Sequence, residues 1–83
     1  MITLNAIEQN TYQQLRSVIG NLSQGSTFQV RDLFHNHLGQ PTHPRIAHRL
    51  WEDVAAGTTI GAAGATVRLQ PLARRSCEGY LVV

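Results

Sequence analysis

A small α+β domain of three helices, one short strand and a C-terminal β-hairpin is what this sequence predicts. Three observations carry that prediction. Residues 44–56 form the clearest amphipathic stretch in the chain, and a shorter helical pattern over 31–38 precedes it across a tight turn. After the glycine-rich stretch 57–64, residues 65–83 alternate as Val67 and Leu69 against Arg68 and Gln70, then return as Tyr80-Leu81-Val82-Val83.

Helix 1 is predicted over 5–21. Asn5 followed by Glu8 three positions on is a capping-box pattern, with Asn in place of Ser or Thr. Ile7, Leu15, Val18 and Leu22, flanked by Tyr12 and Ile19, recur at helical spacing and predict the buried face. Gly20-Asn21 is the stop, and Ser23-Gln24-Gly25 a turn. The short strand is predicted over 27–30, where Phe28 and Val30 face inward. Helix 2 over 31–38 ends at Gly39, a residue suited to a left-handed helix terminus. Gln40-Pro41-Thr42 makes the turn into helix 3, over 44–56, with Pro44 in its first turn. Ile46, Ala47, Leu50, Trp51 and Val54 converge on one side of that helix, and Arg45, His48, Arg49 and Glu52 on the other. Stretch 57–64 reads as a linker with a β-bridge near Ile60. It lacks the Gly-Lys-Ser/Thr ending of a phosphate loop.

At 83 residues the chain is one small domain. Such a domain buries about 60% of the surface its unfolded form exposes, which leaves little room for a deep pocket. The basic side chains are seven arginines and no lysine, set against five acids for a net charge of +2. Arginine's planar fork matches phosphate and the guanine edge, although GC-rich coding also produces this bias. The surplus lies entirely in 42–83, where Arg45, Arg49, Arg68, Arg74 and Arg75 face only Glu52, Asp53 and Glu78. A single cysteine, Cys77, allows no internal disulfide. No apolar run approaches membrane-spanning length and no signal peptide is evident, so a cytoplasmic location is expected.

No catalytic constellation stands out. His35-Asn36-His37 alternates around a helix and cannot easily share one ion, and His43 and His48 are five apart. One cysteine supplies no thiolate cluster, so no metal site and no cofactor is expected. Cys77 beside Arg74 and Arg75 has no base assigned to it. Trp51 falls on the apolar stripe, which makes it a core residue rather than a stacking platform. Arg49 and Asp53 are spaced for a weak surface pair on one helix face.

The order of elements resembles the winged helix-turn-helix fold. The resemblance covers most of the chain and is carried by T-F-Q-V-R-D-L-F, by H-P-R-I-A-H-R-L-W-E-D-V, and by V-R-L-Q-P-L with Y-L-V-V. It implies that helix 3 enters the DNA major groove and the hairpin wing touches the backbone. Position by position, Arg45, His48, Arg49 and Glu52 match groove-facing sites and Arg74 and Arg75 the wing tip, with Arg68 in the same hairpin. The expected function is a sequence-specific, double-stranded DNA-binding transcriptional regulator of bacterial, plasmid or phage type, not an enzyme. One small module has a short footprint, which implies a homodimer or a larger assembly. The modest charge, Glu52 on the helix face and the apolar last strand motivate the alternative: a protein-binding adaptor or inhibitor on the same scaffold.

Overall fold

Helix α1 spans Ala6–Gly20 in the computed structural model, which describes residues 2–62, 64–73 and 78–83. A capping box fixes its start. Asn5 Oδ1 accepts the Glu8 backbone N–H at 2.8 Å, and Glu8 Oε1 accepts the Asn5 N–H at 2.9 Å. Amides that the first turn cannot pair are thereby satisfied.

The face that α1 buries departs from the expected one. Glu8, Tyr12, Leu15 and Ile19 form the buried stripe, while Ile7 is 80% exposed. Those four follow i, i+4, i+7 and i+11 spacing, and Ile7 lies about 100° round the wheel from Glu8. The place an apolar residue was expected to take in the first turn is taken by the Glu8 carboxylate, because partners are waiting for it there.

Strand β1 (Thr27–Gln29) leads directly into α2 (Val30–Leu33), which continues as a wider π-helical turn over Phe34–Leu38. Gly39, at φ 64°, closes that turn in the left-handed conformation its position predicts. Helix α3 (Pro44–Ala55) carries proline in its first turn and buries Ile46, Ala47 and Leu50. Trp51 and Val54 are half-buried against the same core, which also takes in Leu4, Val30, Leu33, Phe34, Ile60 and Tyr80.

The expected single hairpin over 65–83 is divided between two sheets. Strand β2 (Ile60–Ala62), inside the stretch read as a linker, pairs antiparallel with β3 (Ala65–Val67). Strand β4 (Leu69–Pro71) pairs with β5 (Gly79–Val82), and β5 also pairs with β1, giving the order β1-β5-β4. Pro71 is tolerated because β4 is an edge strand. Phe28 stands opposite Tyr80, with ring centroids 5.6 Å apart at 29°. That cross-strand aromatic pair seals the sheet onto the core.

The β2–β3 hairpin packs on α1 by close backbone approach. A Cβ on Gly20 would collide with the Ala65 carbonyl oxygen and come within 2.9 Å of Gly61 Cα. No helix among the described residues is long and apolar enough to cross a membrane.

Candidate nucleic-acid interface

The polar side of α3 is divided between two flanks with different neighbours. On the first flank lies the chain's N-terminal segment. Arg45 Nε donates to Glu8 Oε2 at 3.0 Å, and Arg45 Nη2 donates to the Thr3 carbonyl at 2.6 Å. Arg49 Nη1 donates to the Ile2 carbonyl at 3.2 Å, and its Nε to Asp53 Oδ1 at 3.3 Å. In return Glu52 Oε1 accepts the Ile2 N–H at 2.9 Å. Leu4 is buried in the core, so the segment is anchored from below as well as from the side.

These contacts shape the electrostatics of that flank. The Asn5 backbone N–H, and then the Arg45 guanidinium, hold the Glu8 carboxyl below the usual glutamate range, against the opposing pull of its partial burial. His43 Nε2 is a further neighbour of Glu8, at 3.4 Å. The Ile2 N–H likewise lowers Glu52. Tyr12 donates to Asp53 Oδ2 at 2.5 Å, and burial followed by that carboxylate pushes its phenol well above the usual range. The two arginines expected to read bases therefore make hydrogen bonds within the chain, with the Arg45 side chain still half exposed.

The second flank of α3 faces the start of α2 and Glu78. His48 is exposed there, and a shared depression is lined by His48, Pro44, Ala47, Thr42, Val30, Arg31 and Glu78. The Val30 N–H donates to the Glu78 carbonyl at 2.6 Å, which ties the start of α2 to the hairpin. His48 Nε2 also lies 3.9 Å from Glu52 Oε2, so Glu52 links the two flanks.

Of the residues expected to touch DNA, Arg45, Arg49 and Glu52 are thus brought together, but around the N-terminal segment. His48 borders the depression that also takes in Arg31 and Glu78. Arg68 is exposed, and the Val83 N–H donates to its carbonyl at 3.0 Å. That register puts Arg68 at the opposite end of β4 from Pro71, the end that leads toward Glu78. Arg74, Arg75 and Cys77 lie outside the described residues.

Arg31 was absent from the expected site, yet it borders the depression beside His48. The expected start of helix 2 at residue 31 was the available signal, since it puts the exposed Arg31 at the first position of that helix. Among the described residues no group of three or more His, Cys, Asp or Glu is placed to hold a metal ion.

No protein-family model, curated protein or solved structure matches the chain.

Proposed function

We propose that this chain is a winged helix-turn-helix domain that binds double-stranded DNA as a transcriptional regulator of bacterial, plasmid or phage type. The observation that supports the reading is the sheet order β1-β5-β4 together with the Val30 N–H, at the start of α2, donating to the Glu78 carbonyl just before β5. Glu78, just before β5, borders the same depression as His48 of α3, which is compatible with a wing beside a recognition helix. The β2–β3 hairpin is then an insertion between helix and wing.

In this reading the DNA-facing residues are His48 and Arg31, with Arg74 and Arg75 supplied by the segment that joins β4 to β5. Arg45 and Arg49 hold the N-terminal segment against α3 and position the helix rather than read bases. Each arginine that neutralises a phosphate steepens the salt dependence of binding, so the two groups are separable.

Binding of a pool of selected duplexes, measured at two salt concentrations, tests the assignment. Arg31→Ala with His48→Ala weakens binding, and Arg74→Ala with Arg75→Ala flattens the salt slope. Binding that ignores both double substitutions, or that ignores salt, would end the idea.

A second reading rests on the lining of the same depression, where Val30, Pro44 and Ala47 are apolar beside a chain of net charge only +2. A protein partner docking there would make the domain an adaptor. One stoichiometric partner retained after nuclease treatment, with no duplex binding, would favour it.

A further inference from the structure

A cleft between α1 and α3 gathers donors that the depression beside His48 does not use. Its wall is the ring of Tyr12. Arg16, on α1, and Arg49, on α3, place their guanidinium carbons 5.6 and 6.0 Å from the centroid of that ring. Gln9, Gln13 and Leu4 complete the lining. Gln9, Gln13 and Arg16 stand three or four residues apart, so α1 presents them on one flank beside Tyr12. A second depression runs on from Gln13 and Arg16 to Gly61 and Ala62.

The donors in this cleft outnumber their acceptors. Arg16 Nε is enclosed and has no acceptor among the described residues. Arg49 uses Nε on Asp53 and Nη1 on the Ile2 carbonyl, which leaves Nη2. Gln9 Nε2 donates to the Leu4 carbonyl at 3.1 Å. The Asp53 carboxylate already accepts from Arg49 and from the Tyr12 hydroxyl. Its charge is compensated, and the phenol stays protonated because burial and Asp53 both oppose its ionisation.

We propose that this cleft binds a phosphate group, held between the guanidinium groups of Arg16 and Arg49 with the Gln13 carboxamide as a further donor. Two planar forks reaching in from different helices suit a tetrahedral anion, which offers oxygens in more than one plane. The phosphate belongs either to a nucleic-acid backbone or to a small free anion; the recognising chemistry is the same. The site does not depend on the proposed DNA face, since Arg49 and His48 lie on different flanks of α3.

Nuclear magnetic resonance titration of the full chain tests this, following the Arg16 Nε–H and the Gln13 side-chain amide. Inorganic phosphate and a short duplex are added separately, with sodium chloride at matched ionic strength as the control. Saturable shifts at both groups are expected, weakened about tenfold by Arg16→Ala through loss of charge-assisted hydrogen bonds. Saturation with inorganic phosphate identifies a small anion, and saturation with the duplex alone identifies a nucleic-acid backbone. Gln13 is exposed, so Gln13→Glu places a carboxylate in the cleft without disturbing the core, and it weakens binding too. This second variant decides the matter if Arg16→Ala does not fold. Shifts that chloride reproduces, or that both substitutions leave unchanged, overturn the proposal. A duplex that shifts the cleft but not Arg31 or His48 would refute the proposed DNA face and leave the cleft standing.

Discussion

Glu8 and Arg45 meet across thirty-seven positions of sequence, Nε to Oε2 at 3.0 Å, and join the first turn of α1 to the first turn of α3. The other oxygen of Glu8 closes the capping box on Asn5. One carboxylate thus terminates a helix, orients a second helix and, through Arg45, holds the Thr3 carbonyl.

Acid should loosen this junction. The folded chain holds Glu8 below the ordinary glutamate value of 4.5, so below that value the unfolded chain binds the proton more readily. The stability Glu8 contributes is present above 4.5 and is lost as the pH falls through its lower folded value. Thermal unfolding followed from pH 7 to pH 3 should show a falling midpoint. Glu8→Gln should start lower and fall less.

The same junction separates arginines that look alike in the sequence. Arg45→Ala should lower the melting temperature, because it strips a partner from Glu8 and releases Thr3. Arg68→Ala should leave it nearly unchanged, since that side chain is exposed and the Val83 N–H bonds to its backbone carbonyl, which alanine keeps. Equal melting temperatures for the two variants would contradict the junction's structural role.

Gly20→Ala tests the packing of α1 on the β2–β3 hairpin. Alanine is the better helix former by about 1 kcal/mol, so propensity alone predicts a gain. The added methyl has no room against the Ala65 carbonyl and Gly61 Cα. Overpacking of about 1–3 kcal/mol should win, giving net destabilisation in urea unfolding.

Ile7 and Ile19 sit on the same helix with opposite burial. Ile7→Gln should change stability by less than about 0.5 kcal/mol, as exposed substitutions do. Ile19→Ala should cost about 2–5 kcal/mol, because the side chain is fully buried. Chemical denaturation of both variants reads the contrast directly.

The helices were legible because their apolar spacing and end signals are local: Asn5 with Glu8, Gly39 and Pro44 all act within a turn of where they stand. Ile7 misled because hydrophobicity marks a candidate for burial, whereas the wheel decides which candidates share a side. Strand partners were harder to see. The alternation of Ala65–Val67 suits pairing with β2 or with β5 equally, and only the packing of Gly61 against Thr66 and Gly20 selects β2. The α3 arginines were placed on the polar face correctly, but a helical wheel cannot show that residues 2–4 cross it.

Strand β5 is the keystone of the larger sheet, since β1 and β4 each pair with it and not with each other. Those two strands are about forty residues apart in sequence, and neither can close its hydrogen-bond ladder until the last residues of β5 arrive. Without residues 79–82 this sheet would lose both of its ladders, and Phe28 its ring partner. Tyr80 and Val82 are also fully buried, so cutting back Tyr80–Val82 should abolish cooperative unfolding rather than trim an edge.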